Sequence, residues 1–375
     1  MSSSILYLGL DVHKESVMIA ILPADAPTPT RLERLPYDLK KLHRFFARLA
    51  EDGAELRACY EASGAGYVLQ RALTSWGHTC EIVASTLIPT KPGERRKHDK
   101  RDAAALARLY RAGELTPIRI PTAAEERVRE IVRCRETLQR EVLRSRHYLL
   151  KLLLRRGCIY HAGAHWTQRH LAWLTALRQS AAITGGDAVA FDEYLALLEY
   201  KLARRDALDH EIEQLALSAA YRPTVERLRC YRGISTLGAM VLATEIGDWQ
   251  RFAKPTQLMA YLGLVPTEHS SGSRERRGAI TKAGNSRCRH ILVQAAWLAR
   301  RPPRRSALLV RRQQGQPPAV VAHAWKAQHR LHTLFHRIAA RRPPQIAAVA
   351  VAREAVGFLW ATMQEAPAAL LSESI

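Results

Sequence analysis

Four acidic residues in the first third of the sequence have the types and settings that divalent-metal chemistry requires. Asp11 and Glu61 each end an apolar, strand-like run, and a glycine-rich turn follows Glu61. Asp99 and Asp102 are three residues apart in a helix-like segment, so both lie on one helix face. Two carboxylates about 4 Å apart repel by roughly 4 kcal/mol at an effective dielectric constant of about 20. Four converging carboxylates therefore predict a bound cation, Mg²⁺ or Mn²⁺, which hard oxygen ligands favour. Any one of these acids alone is more simply a turn residue, a helix cap or a surface charge.

A serine-rich loop in the C-terminal half is the second candidate for chemistry. Ser270 and Ser271 stand side by side, and Gly272 follows them directly. A serine hydroxyl becomes a nucleophile when a base accepts its proton or its pKa is lowered, which a metal, the acids or His269 would do. The arginines that follow would bind the non-bridging oxygens of a phosphate under attack. On the residues alone, a flexible surface loop is the simpler interpretation.

The charge of the chain indicates a polyanionic partner. With 57 Lys and Arg against 35 Asp and Glu, the net charge is +22. Residues 270–312 hold twelve of these basic residues and one acid, Glu275. We predict nucleic-acid contacts by the residues of this region that flank the serines or begin the next helix: Arg274, Arg276, Arg277, Lys282, Asn285, Arg287 and Arg289.

Composition also predicts the compartment. The first residues lack the basic region of a secretory signal, and no apolar run approaches the ~20 residues of a membrane span. The six cysteines are scattered without a Cys-x-x-Cys pair, which is typical of reduced thiols. We expect a cytoplasmic protein with no membrane partner.

The acids fall within an α/β pattern over residues 1–120. A strand–turn–strand ribbon comes first, then a proline-rich loop, and helices then alternate with strands. The predicted strands are residues 5–11, 16–22, 55–61 and 80–84, and the predicted helices are residues 39–50, 67–76 and 99–111. Carboxylates at strand ends plus a pair on a helix are the components of an RNase H-like two-metal centre.

The remaining chain is predicted to be helical. Residues 121–220 carry two heptad runs, which predict an antiparallel coiled-coil hairpin; Arg135 and Ser145 interrupt the first run. This hairpin is either a structural arm or a subunit-pairing element. Residues 221–305 form a compact basic domain whose start resembles a helix-hairpin-helix, although Gly233 would equally serve as a turn between packed helices. Residues 306–375 form a basic tail, rich in Ala and Pro, with helices near 319–340 and 344–363.

Several motifs, in this order along the chain, resemble those of the DEDD transposases encoded by bacterial insertion sequences of the IS110 and IS1111 class. The resemblance spans roughly residues 5–300. In the N-terminal domain it rests on residues 8–14 (LGLDVHK), 60–64 (YEASG) and 98–103 (HDKRDA). In the C-terminal domain it rests on residues 245–248 (EIGD), 261–266 (YLGLVP), 270–272 (SSG) and 280–285 (ITKAGN).

The resemblance implies an RNA-guided recombinase that acts as an oligomer, a dimer or a tetramer. Its RuvC-like acids, Asp11, Glu61, Asp99 and Asp102, would hold Mg²⁺ or Mn²⁺, and Ser271 would attack a DNA phosphodiester. Ser271 is preferred to Ser270 because it directly precedes Gly272. Two alternatives remain: a RuvC-type nuclease in which the acids activate water, and a non-catalytic nucleic-acid-binding protein. A covalent protein–DNA adduct would distinguish the recombinase from the nuclease.

Overall fold

The computed structural model describes residues 4–89, 99–180, 182–268 and 277–364. The chain divides into two compact units, residues 1–121 and residues 122–375. The first contains a mixed sheet with helices, and the second is almost entirely helical. At this level the predicted α/β domain followed by a helical remainder is confirmed.

The first unit is built on a five-stranded sheet. Its elements are β1 (Ile5–Val12), β2 (Ser16–Pro23), β3 (Arg31–Pro36), α1 (Leu39–Ala50), β4 (Glu55–Glu61), α2 (Val68–Ser75), β5 (Thr79–Val83) and α3 (Asp99–Arg111). The strand order is β3-β2-β1-β4-β5. The first three strands form an antiparallel ribbon, and β4 and β5 extend it with parallel pairings beside β1.

The two faces of the sheet carry different helices. Side chains alternate along a strand, so Leu8 and Leu10 point to the face covered by α1 and α2, where they are fully buried. Gly9 points to the other face, against α3. A Cβ atom at Gly9 would overlap the carbonyl oxygen of Ala103 and lie 2.5 Å from the backbone nitrogen of Ala107. Only glycine therefore permits this approach of helix to strand.

One strand was not predicted. The sequence predicts no strand between the proline-rich loop and the helix at residue 39, but the structure forms β3 there, at the edge of the sheet. Among the residues that the structure describes, this strand pairs with β2 alone, and most of its side chains are exposed. Charged residues on an edge strand protect it from pairing with other chains, and they also conceal the strand in the sequence.

The second unit contains ten helices among its described residues. They are α4 (Ala123–Arg155), α5 (Gln168–Gln179), α6 (Gly185–Ala216), α7 (Arg222–Arg229), α8 (Thr236–Ile246), α9 (Pro255–Tyr261), α10 (Ser286–Ala296), α11 (Ala307–Gln313), α12 (Pro318–Ala339) and α13 (Pro344–Met363). A short antiparallel ribbon, β6 (Pro266–Glu268) and β7 (Arg277–Ile280), lies between α9 and α10 in sequence.

The predicted helical hairpin is confirmed in α4 and α6. Arg135 pairs with Asp209, and the ammonium group of Lys201 donates a hydrogen bond of 3.0 Å to Ser145. The residue numbers rise on α4 as they fall on α6, so the helices are antiparallel. Both residues that interrupt the heptad pattern therefore make polar contacts across the hairpin. Ser145 is fully buried and would otherwise lack a partner for its hydroxyl.

The C-terminal helices belong to the core of the second unit. Buried side chains of α12 and α13 join those of α7, α8 and α10 in one apolar cluster. Among the described helices, α13 is the one long and apolar enough to cross a membrane by length and composition, and half of its most apolar stretch is buried. Two charged residues, Arg353 and Glu354, interrupt its apolar residues, and its buried side chains belong to the apolar cluster.

Candidate active site

Two of the predicted acids stand at the same edge of the sheet. Leu10 of β1 is the Cα partner of Tyr60 in the parallel strand β4. Asp11 and Glu61 follow these residues directly, so both occupy the carboxyl ends of neighbouring strands. Side chains alternate, which places Asp11 on the same face as Gly9, the face covered by α3. In open α/β sheets this edge is where ligands bind.

Helix α3 brings the other two acids to that edge. Ala103 and Ala107 lie over Gly9, and Arg111 at the far end of the helix contacts backbone carbonyls after β2. The helix therefore runs antiparallel to β1, and its first turn lies beside the end of that strand. Asp99 and Asp102 are the acids of this first turn.

A histidine completes a compact group with two of the acids. The His13 Nε2 atom is 3.1 Å from Asp11 Oδ2 and 3.8 Å from Asp99 Oδ1. One ligand atom from each of the three residues lies within 4.8 Å of the others. Asp11 is the most buried, with 19% of its side chain exposed, against 48% for His13 and 42% for Asp99.

The group does not include all four predicted acids. The structure brings Asp11 and Asp99 together, whereas Glu61 and Asp102 are outside this set of ligand atoms. Glu61 is exposed at the neighbouring strand end, and Asp102 is half-buried one helical turn after Asp99. The sequence interpretation treated His13 as a turn residue. Its signal was its position in the turn directly after the strand that carries Asp11.

The three residues fit a divalent cation. With metal–ligand distances of about 2.1 Å, neighbouring ligand atoms of an octahedral ion lie about 3 Å apart and opposite ones about 4.2 Å. The distances of 3.1 and 3.8 Å fall within this range. Carboxylate oxygens and imidazole nitrogens are each established ligands of divalent metal ions.

The predicted nucleophile lies outside the described residues. Ser270 and Ser271, together with Arg274 and Arg276, fall between β6 and β7 in sequence, where residues 269–276 are not described. The backbone of Arg277 begins β7. The roles of these residues remain predictions.

Four of the predicted nucleic-acid contacts lie in α10 or just before it. Three of these residues make contacts within the protein, and the fourth is exposed. Lys282 is exposed and has a left-handed backbone, φ = 55°. Arg289 donates a hydrogen bond of 2.8 Å to the carbonyl oxygen of Leu262. Asn285 accepts hydrogen bonds from two backbone N–H groups and thereby caps α10. Arg287 pairs with Glu136 of α4. Their predicted contacts with nucleic acid remain predictions.

Glu245 is a buried carboxylate that the sequence marked only as part of a motif. Arg133 donates two hydrogen bonds to it, at 2.7 and 2.9 Å, and Asn285 donates a third at 2.7 Å. Only 2% of its side chain is exposed. Burial raises the pKa of Glu245, but the hydrogen bonds and positive charge of Arg133, with Asn285, outweigh it and hold the pKa below its usual value. Because Arg133 is on α4, this carboxylate links the helical hairpin to α8 and α10.

One arginine before α8 and four after α10 form a group that we call the arginine surface: Arg232, Arg300, Arg301, Arg304 and Arg305. All except the half-buried Arg232 are exposed. The Arg232 guanidinium donates to the carbonyl oxygens of Arg301 and Pro302. Partial burial and the positive charges of Arg301 and Arg304 lower the pKa of Arg232. Like charges held this close indicate a surface for a polyanion.

Comparison with known proteins gives the family of this chain. The model of the DEDD transposases of IS110 matches residues 8–156, and that of the transposase IS116/IS110/IS902 family matches residues 225–309. A protein of Sinorhizobium fredii described as transposase y4qE is 39% identical over 362 residues, which are 96% of this chain and 89% of that protein.

Two further relatives are transposases of named elements. The transposase for insertion sequence element IS1533 of Leptospira borgpetersenii is 32% identical, and the match covers 90% of this chain and 97% of that protein. The transposase for insertion sequence element IS1111A of Coxiella burnetii is 28% identical over 53% of this chain and 54% of that protein. The chain belongs to the IS110 family of DEDD transposases, as its motifs predicted. It is therefore an enzyme that cuts and rejoins DNA.

Proposed function

We propose that the first unit is an RNase H-like, RuvC-like nuclease domain whose acids hold Mg²⁺ or Mn²⁺ during DNA cleavage. The observation that carries this proposal is the convergence of Asp11 and Asp99, from a strand and a helix 88 residues apart, with a third ligand atom within 4.8 Å. The antiparallel ribbon extended by two parallel strands supports the fold assignment. Glu61 and Asp102 flank the group and would complete the ligand set once nucleic acid binds.

Each residue has a distinct role in this site. A divalent ion supplies Lewis-acid polarisation of the scissile phosphate. Asp11 and Glu61 fix one side of the site because the sheet holds their backbones rigidly. Asp99 and Asp102 fix the other side, and the close contact of α3 with Gly9 sets their distance from the strand.

Ser271 is the proposed nucleophile, on the strength of the family motif. Its Oγ attacks phosphorus, the serine proton passes to a base, and a DNA hydroxyl leaves. The product is a serine–phosphate ester that retains the energy needed to join a second strand. Attack by another DNA hydroxyl then restores a phosphodiester and frees the serine. Arg274, Arg276 and Arg277 would neutralise the phosphate oxygens in this step.

Binding of nucleic acid is assigned to the basic residues of the second unit. The predicted contacts of Lys282, Asn285, Arg287 and Arg289 are supported by the net charge of +22 and by the neighbouring arginine surface. We propose a guide RNA as well as DNA, assembly as a dimer or tetramer, and action in the cytoplasm.

The proposed metal site is tested by substitutions that should abolish metal binding and DNA cleavage together. Asp11→Asn and Asp99→Asn should each weaken Mn²⁺ binding, measured by titration calorimetry, and abolish strand cleavage in Mg²⁺. Cleavage that survives both substitutions would refute the site. A water-activating nuclease would show the same metal dependence but would form no covalent protein–DNA adduct.

A further inference from the structure

We propose that His13 is itself a ligand of the divalent ion and makes the site favour transition-metal ions such as Mn²⁺ over Mg²⁺. This inference rests on the proposed metal site and adds a nitrogen donor to what the acids alone predict. None of the acidic motifs requires it.

The position of His13 is set by the hairpin between β1 and β2. The last pairing of that hairpin joins Val12 to Val17, and the His13 N–H donates a hydrogen bond of 2.9 Å to the carbonyl oxygen of Ser16. The backbone is therefore held on both sides of the turn. His13 directly follows β1, and its Nε2 atom lies 3.1 Å from Asp11 Oδ2, so the two side chains meet at this end of the strand.

The imidazole lies between the carboxylates of two separate elements. Its Nε2 atom is 3.1 Å from Asp11 and 3.8 Å from Asp99, and it belongs to the same ligand group. The imidazole therefore contacts Asp11 and also reaches Asp99, a carboxylate of another element. The chain also holds the imidazole at a site where half of the ring remains open to solvent, so exchange with a hydrated ion is unobstructed.

A nitrogen ligand changes which ion the site prefers. Mg²⁺ binds carboxylates, phosphates and water, whereas imidazole suits first-row transition metals. Mn²⁺ accepts the two carboxylates that Mg²⁺ would use and also accepts the imidazole. The structure thus predicts that Mn²⁺ binds the free protein more tightly than Mg²⁺ and that His13 accounts for the difference.

The test measures both ions on the full-length protein. Titration calorimetry with MnCl₂ and MgCl₂ should show that His13→Gln weakens Mn²⁺ binding by about ten-fold or more and leaves Mg²⁺ binding nearly unchanged. Pulsed electron paramagnetic resonance of the Mn²⁺ complex should show coupling to a ¹⁴N nucleus that His13→Gln removes. His43→Gln is the matched control, because His43 is exposed on α1 in the same unit. It should change neither measurement.

The outcomes separate this inference from the metal site itself. Suppose that Asp11→Asn weakens Mn²⁺ binding, that the wild type shows no ¹⁴N coupling, and that His13→Gln weakens the binding of both ions equally. This result would leave the metal site intact and overturn the role of His13. His13 would then only orient Asp11. Failure of Mn²⁺ to bind the wild type, or binding unaffected by Asp11→Asn, would overturn the metal site and this inference together.

Discussion

Glu245 shows how much one side chain depends on residues far away in sequence. Its partners Arg133 and Asn285 are 112 and 40 residues distant, and the carboxylate that they contact is almost fully buried. A buried carboxylate is tolerable only when it is paired and hydrogen-bonded. The Glu245 carboxylate meets both conditions, so we expect it to hold α4, α8 and α10 together.

The pH dependence of stability should report this carboxylate. Its pKa is lowered in the folded protein, so the unfolded chain binds the proton more readily, and the stabilisation is present near neutral pH. It is lost as the pH falls from about 4.5, the ordinary glutamate value, through the lower folded value. Glu245→Gln should lower the free energy of unfolding at pH 7 by ~3 kcal/mol and flatten this acid limb. Urea unfolding at pH 7 and pH 4 measures the loss of stability and the change in its pH dependence.

The control for this prediction is Glu199→Gln, which changes an exposed glutamate on α6. It should leave both the stability and the acid limb unchanged. An acid limb that persists in Glu245→Gln would assign the effect to other carboxylates.

At this scale the sequence predicted the four acids but not their partners. Short local motifs predict Asp11, Glu61, Asp99 and Asp102 as metal ligands, and the structure brings Asp11 and Asp99 together. His13 was overlooked because a histidine next to Lys14 and Glu15 is also what a polar turn contains. Glu245 carried no local sign of its burial, since its charge partners come from other helices.

Among the elements, α3 and β1 form the contact that builds the site. Gly9 allows the backbone of α3 to touch the strand, which carries Asp99 to Asp11. A methyl group at Gly9 would meet backbone atoms of Ala103 and Ala107, and backbone cannot move aside as a flexible side chain does. The helix would have to shift as a whole.

Gly9→Ala should therefore separate the acids while the sheet survives. We expect lower thermal stability of the first unit and Mn²⁺ binding weakened by about ten-fold or more, measured by calorimetry, because the ligand spacing changes. Gly64→Ala is the control, since a Cβ there meets nothing within 4 Å. Unchanged Mn²⁺ affinity in Gly9→Ala would mean that the α3 contact does not set the ligand geometry.

Regular elements were largely predictable, because periodicity is a local property. The strands and helices around the acids, and both long helices of the hairpin, follow the patterns of the sequence closely. The edge strand β3 was missed because its charges and flanking prolines resemble a loop. The packing of Gly9 against α3 was also missed, since the two segments are about 95 residues apart.

Across the whole molecule, the excess of positive charge is concentrated in the second unit's basic segments. Residues 270–312 carry twelve basic residues, and the arginine surface lies partly within them. The sequence predicted this electrostatic character directly, because charge adds along a chain regardless of the fold. It could not predict that α12 and α13 would join the core, since that depends on the shape of the faces they cover.

The salt dependence of binding should identify which arginines touch phosphate. Each phosphate neutralised on duplex DNA contributes about 0.9 to the slope of log affinity against log salt. Replacing Arg276 and Arg277 by Ala should lower the slope by about 1.8, and replacing Arg301 and Arg304 by Ala should do the same if both contact phosphate. Fluorescence anisotropy from 50 to 300 mM salt measures it.

Arg178→Ala is the control for this series, because Arg178 is already paired with Asp192 on the hairpin. It should leave the slope unchanged. A slope that no arginine pair alters would place the bound phosphates elsewhere on the protein.

The central claim is that the metal-holding acids and Ser271 act in one phosphoryl-transfer reaction, and covalent capture of DNA tests it most directly. End-labelled DNA carrying the element junction is incubated with the protein, the cognate RNA and Mg²⁺, then denatured and resolved by size. The wild type should give cleaved strands and a protein–DNA adduct. Ser271→Ala should lose both while retaining its affinity for nucleic acid, and Ser273→Ala should retain both.

Asp102→Asn should cause the same loss through the metal, and the double variant should be no worse than either single, because groups acting in one step are not additive. Cleavage without an adduct, surviving in Ser271→Ala, Ser270→Ala and the pair together, would contradict the account and favour a nuclease that activates water.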